Sequence, residues 1–118
     1  LHTLGLDRIS QTPARDLALG DRRRVELARA LAGRPALLLV DEPAAGLNAS
    51  ERARLREDLS ALRASGTTLL LIEHDMRLVM DISDRVMVLR LGKTIADGAP
   101  AVVRADPHVV AAYLGTAS

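Results

Sequence analysis

The sequence predicts an α/β domain organised on a parallel sheet, and three observations lead there. Leu37-Leu38-Leu39-Val40 is a short, unbroken apolar run, and Leu69-Leu70-Leu71-Ile72, entered through the β-branched Thr67-Thr68, is another. Runs of this length suit strands buried on both faces, as parallel strands are. Between them, Leu55, Leu59 and Leu62 recur at helical spacing in an otherwise charged stretch. Strand, helix and strand in that order make a parallel crossover unit.

Taken in order, the chain starts with Leu4-Gly5-Leu6, which reads as a helix stop. Residues 7–16 are polar, carry Pro13 and read as a connection. Leu17-Ala18-Leu19-Gly20-Asp21 then leads into a helix over residues 22–33. Val25, Ala28, Leu31 and Ala32 recur at helical spacing, Leu27 widens the apolar face, and Gly33 is a good stop. Gly20 at the helix mouth leaves backbone N–H groups free to meet an anion, although a solvated arginine face is the plainer reading.

The first strand ends in Asp41-Glu42, and Pro43 stops it from continuing. Ligands of open α/β sheets bind beyond the carboxyl ends of the strands. Two acids there suggest a metal–phosphate site, with Asp41 holding Mg²⁺ through water and Glu42 polarising an attacking water. A polar turn with solvated carboxylates is the alternative. Ser50 is expected to cap a helix over residues 51–64, and Ser65-Gly66 ends it. The second strand delivers Glu73-His74-Asp75 from its carboxyl end.

Residues 76–82 read as a short helix with Met76, Val79 and Met80 inward, and residues 85–89 as a third strand. Arg90-Leu91-Gly92-Lys93 turns into an antiparallel edge strand at Thr94-Ile95-Ala96. Asp97-Gly98-Ala99-Pro100 is expected to cap a helix through Arg104. Asp106-Pro107 opens another, with Val109, Val110, Ala112, Tyr113 and Leu114 packing back on the core. Met76, Met80 and Met87 read as core fillers.

Composition narrows the classes. The 118 residues are the size of one ordinary domain, and Tyr113 is their single aromatic residue. The net charge is +1, and all sixteen basic residues except Lys93 are arginines interleaved with acids. With no aromatic stacking platforms, nucleic acid is not an expected partner. Cysteine is absent, which excludes disulfides and thiolate metal sites. No apolar run approaches the roughly 18 residues of a membrane span, and nothing reads as a signal peptide.

Four pieces in a fixed order resemble the ATP-binding-cassette (ABC) ATPases. Leu17-Ala18-Leu19-Gly20-Asp21 with the following helix resembles their signature motif, and residues 37–43 their Walker B motif. Ala45-Gly46-Leu47-Asn48 looks like the D-loop, and Ile72-Glu73-His74-Asp75-Met76 like the switch-histidine loop. Ala-Ala-Gly-Leu-Asn after the Walker B proline, Ile-Glu-His-Asp-Met, and Ala-Tyr-Leu-Gly near the end resemble the ATP-binding subunits of branched-chain amino-acid importers.

The resemblance implies a P-loop NTPase (RecA-like) three-layer parallel sheet, incomplete here, lacking its P-loop strand, with a C-terminal antiparallel hairpin and short helices. The stretch matches the carboxyl-terminal portion of one nucleotide-binding domain. Residues 1–33 would end the helical subdomain, 34–97 form the core from Walker B to the switch histidine, and 98–118 supply C-terminal helices. The implied activity is ATP hydrolysis powering import of branched-chain amino acids or related small polar solutes, with ATP and Mg²⁺ as cofactors. Glu42 and His74 would be catalytic, and Asp41 would hold Mg²⁺ through water. Leu17, Ala18, Leu19, Gly20 and Asp21 would close on a partner subunit's ATP, and Asn48 would sit at the dimer seam. The implied partners are a second ABC ATPase subunit, membrane permease subunits and, indirectly, a solute-binding protein. The implied location is the cytoplasmic face of the membrane, held peripherally.

The departures are specific. The 118 residues hold no Gly-x-x-Gly-x-Gly-Lys-Ser/Thr sequence, so this stretch alone is expected to be inactive and to leave apolar strand faces uncovered. Asp21 stands where the signature usually has glutamine; it favours the helix start but would repel an incoming phosphate. Two other readings stay open: a truncated cassette acting only in trans or not at all, and an ABC ATPase outside transport.

Overall fold

In the computed structural model, residues 18–114 are described. They divide after Glu73 into two compact units, each taken by itself. The helix end expected at residues 4–6, the connection that follows it and Leu17 lie outside the described residues.

The first unit holds helix α1 (Leu19–Ala32), strand β1 (Leu37–Asp41), helix α2 (Ala49–Ala64) and strand β2 (Thr68–Ile72). Strands β1 and β2 pair in parallel, from Leu37 opposite Thr68 to Asp41 opposite Ile72. This is the crossover unit that the apolar runs predict. Helix α1 starts three residues earlier than expected, so Gly20 and Asp21 lie inside its first turn. Gly33 is the C-cap, and Arg34 beyond it takes the left-handed conformation at φ 49°. At α2 the cap is Asn48, not Ser50. The Asn48 side chain accepts from the Glu51 N–H, and the Glu51 carboxylate accepts from the Asn48 N–H. This reciprocal capping box outcompetes Ser50 because it satisfies two end donors at once. Gly66, at φ 98°, closes the other end.

Burial corrects the reading of strands buried on both faces and agrees with the expectation of uncovered apolar strand faces. The strands are covered on one face only. Leu38 is buried and Val40, Leu69 and Leu71 are half-buried, whereas Leu37, Leu39, Leu70 and Ile72 are 51–65% exposed. The alternation follows the pleat. Leu27 of α1 and Leu55, Leu59 and Leu62 of α2 supply the buried apolar residues of the helices. Arg24 of α1 reaches Asp58 of α2 at 2.7 and 3.2 Å, a buried ion pair that ties the helices together.

The second unit holds helix α3 (Met76–Ile82), strands β3 (Val86–Arg90) and β4 (Lys93–Gly98), and helices α4 (Pro100–Ala105) and α5 (Pro107–Val109). A π-helical turn over Val110–Leu114 continues α5. β3 and β4 form the expected antiparallel hairpin, closed by Arg90 opposite Lys93. Leu91 and Gly92 both have positive φ, 50° and 77°. That is the sign pattern of a type I′ turn, whose twist matches the strands. A bulge leaves Ile95 unmatched between Thr94 and Ala96. Arg85 grips Asp97 at the open end through two bonds of 2.8 Å.

Val79 and Met80 of α3 are buried as expected, but Met87 is 57% exposed because it points off the outer face of β3. No side chain caps α4, so the cap expected from residues 97–100 rests on Pro100 at the first turn alone. Asp106 caps α5 by accepting from the His108 N–H. Val103 and Val109 are fully enclosed, while Val110 is exposed. Tyr113 donates its hydroxyl to the Leu89 carbonyl.

Candidate nucleotide site

The chemistry-bearing residues of the first unit gather at the carboxyl end of β1. Asp41 is the last strand residue, on the exposed face of the sheet. Glu42 follows at φ 46°, a left-handed conformation that costs a non-glycine residue about 1–2 kcal/mol. Its N–H donates to the Ile72 carbonyl at 2.7 Å, which extends the parallel ladder by one bond. Its carbonyl accepts from Ala45 at 3.2 Å, so the chain turns at once. The two acids therefore part company: Asp41 stays on the strand, and Glu42 is turned off its end and exposed. Non-glycine strain of this kind concentrates at functional sites.

Pro43 and Ala44 are buried beneath the turn. The Ala44 N–H donates to the Glu73 carboxylate at 3.0 Å. Gly46, at φ 77°, reverses the chain again. A Cβ built there would come 3.0 Å from Leu19 Cδ2, so the turn passes close beneath the start of α1. Asn48 then caps α2. Ala18, Gly20, Asp21, Asn48 and Glu51 line a common cavity of about 230 Å³. Asp41 instead borders a second cavity, of about 160 Å³, between α1, β1 and α2.

Glu51 joins these pieces. One of its oxygens accepts from Asn48 at 3.1 Å, and the other accepts from the Gly20 N–H at 2.7 Å. The anion drawn to the first turn of α1 is thus the chain's own carboxylate. Asp21 lies 3.9 Å from Arg54, which offsets part of its charge. Sequence reasoning missed both Glu51 and Glu73. The Asn48-x-x-Glu51 spacing could have revealed the first as a capping box. No local signal reveals a carboxylate that reaches an amide 29 residues away.

His74 opens the second unit. It is exposed, and the next residue, Asp75, caps α3 by accepting from the Leu78 N–H at 3.2 Å. Among the described residues, no group of three or more His, Cys, Asp or Glu side chains could enclose a metal ion. A site that takes Mg²⁺ fits this donor set, because Mg²⁺ keeps several waters and needs only one or two carboxylates beside phosphate oxygens.

A family model described as "ABC transporter" matches residues 1–45. A second, "Branched-chain amino acid ATP-binding cassette transporter", matches residues 93–118. The chain is 48% identical over 118 residues to the high-affinity branched-chain amino acid transport ATP-binding protein LivG of Escherichia coli, covering 99% of itself and 46% of that protein. Its similarity is to ATP-binding-cassette proteins along its whole length. It is also 46% identical to BraF of Pseudomonas aeruginosa, named as LivG is, again over 46% of that protein. The ADP conformation of MJ1267, an ATP-binding cassette of an ABC transporter, superimposes with a TM-score of 0.86 at 33% identity, over 98% of this chain and 47% of that one. The fold is accordingly part of the cassette's P-loop NTPase fold. The chain spans about half the length of the curated relatives it matches. Among the described residues, no helix is long and apolar enough to cross a membrane.

Proposed function

We propose that this chain is the carboxyl-terminal portion of an ATPase subunit that powers a membrane importer of branched-chain amino acids or related small polar solutes. The observation that carries the reading is the split of Asp41 from Glu42 at the end of a parallel strand. One acid is left on the strand and the other is turned outward by a strained residue. The similarity to LivG and BraF supports the solute class.

In this reading Asp41 would hold Mg²⁺ through water, and the ion would supply charge neutralisation at the phosphates. Glu42 accepts a hydrogen bond from the attacking water and takes its proton as the water oxygen bonds to the γ-phosphorus and the bond from that phosphorus to the bridging oxygen breaks, releasing ADP. His74 donates to the γ-phosphate. Ala18, Leu19, Gly20 and Asp21, with Leu17 before them, face the ATP of a second subunit, and Asn48 stands at the seam between the subunits. The dimer docks on permease subunits from the cytoplasmic side, and a solute-binding protein delivers the cargo.

Steady-state phosphate release by the full-length gene product tests the roles. Replacing Glu42 with Gln should lower kcat at least about a hundredfold while ATP binding persists, since proton acceptance contributes 10²–10⁴-fold. Hydrolysis within about twofold of the unsubstituted protein would remove Glu42 from the mechanism.

A further inference from the structure

We infer that Glu73 is a positioning residue for hydrolysis, acting by fixing the turn that aims Glu42. The inference rests on the ATPase reading above. It starts from the geometry of residues 42–47. Glu42 is held at its N–H by the Ile72 carbonyl at 2.7 Å, and at its carbonyl by Ala45 at 3.2 Å. Ala44 is only 1% exposed, so its N–H needs an internal acceptor. The Glu73 carboxylate supplies one at 3.0 Å.

Ile72 and Glu73 are consecutive. The end of β2 therefore grips the turn twice, through the Ile72 carbonyl on one side of Pro43 and the Glu73 side chain on the other. A backbone grip alone leaves the turn free to hinge after Glu42, whose left-handed conformation is uphill for a residue with a Cβ. The second grip opposes relaxation of Glu42 toward ordinary φ values, which would swing its carboxylate away from its place beyond the strand. Glu73 need not touch substrate to do this. An acceptor oxygen of the right reach is what the Ala44 N–H requires, so charge is secondary.

The experiment is ATP hydrolysis by the full-length gene product carrying E73A, E73Q or E73D. Loss of the grip in E73A should lower kcat about tenfold or more, because small misplacements of a reacting group are costly. KM for ATP should stay within about twofold, since the turn is not proposed to bind nucleotide. E73Q keeps an acceptor oxygen at the same reach and should hold kcat within about threefold of the unsubstituted protein. E73D withdraws the carboxylate by one methylene and should fall with E73A. The last two variants decide the matter if E73A does not fold.

An unchanged kcat in E73A or E73D would overturn the inference. So would a loss in E73Q as deep as that in E73A, or kcat and KM worsening together. If the unsubstituted protein hydrolyses no ATP, the ATPase reading itself fails and takes this inference with it, an outcome distinct from a variant that behaves like the parent.

Discussion

At the residue scale, the site is a set of backbone N–H groups answered by carboxylates from elsewhere in the chain. Gly20 meets Glu51, Ala44 meets Glu73, and Asn48 meets Glu51. The positions of Asp41, Glu42 and His74 just at or beyond strand ends were legible because short apolar runs mark where the strands stop; the roles proposed for them rest on the resemblance. Glu51 and Glu73 were not legible, because their meaning lies in distant partners. Asp21 stands between these cases. As a carboxylate in the first turn of α1 it suits the helix, yet it borders the cavity at the proposed phosphate-facing end, with Arg54 3.9 Å away. The Asp21 side chain is largely covered while Arg54 is half-exposed, and at 3.9 Å their contact is too long for a hydrogen bond, so the charge is only partly offset. Removing the charge while keeping polarity should therefore favour phosphate approach, and Asp21→Gln in the full-length product is expected to raise the ATPase rate by about two- to fivefold, the effect of one partly screened charge. An unchanged or lower rate would show that Asp21 does not oppose the nucleotide.

At the scale of elements, the α1–α2 pairing depends on Arg24 and Asp58. Burial pushes the Asp58 carboxyl up from its ordinary value, while the hydrogen bond and charge of Arg24 pull it back. A raised carboxyl takes up its proton more readily folded than unfolded. Its contribution to stability is full below its unfolded value and is lost as pH rises through the folded one, so this pair does not drive acid unfolding. Asp97 has the opposite sign. The Arg85 hydrogen bond lowers it, and its stabilisation is present above the unfolded value and lost as pH falls through the folded one. Truncating Asp58 leaves Arg24 buried without its carboxylate, and breaking such pairs costs about 3–5 kcal/mol. Asp58→Ala should thus lower unfolding stability by about 3 kcal/mol, with Asp58→Asn losing less because it retains an acceptor. Denaturant unfolding of both variants checks this; a loss below about 0.5 kcal/mol for Asp58→Ala would mean that the pair is incidental. The Leu55, Leu59, Leu62 stripe was readable beforehand, but the ionic link was hidden because a charged pair in sequence looks like solvated surface.

At the scale of the whole molecule, the sequence carried the parallel unit and the hairpin, since both are built from contiguous runs and a short turn. The missing P-loop sequence pointed to uncovered apolar strand faces, but the runs themselves did not say which face that would be. Leu37, Leu39, Leu70 and Ile72 are as apolar as residues of a two-sided core, but one-sided packing among the described residues leaves them half open to solvent. Periodicity records what a strand can bury, and covering depends on atoms far along a chain. The chain's match to about half of each relative's length is in keeping with that bare face. It also makes the central claim a matter for the full-length gene product, in which two copies are proposed to enclose ATP between Glu42 of one and residues 17–21 of the other. The most direct test is the mass of the Glu42→Gln protein in solution with saturating ATP and Mg²⁺, compared with ADP. The account predicts a stable dimer with ATP that holds two nucleotides and a monomer with ADP. A protein that stays monomeric with ATP, or binds none, would contradict it.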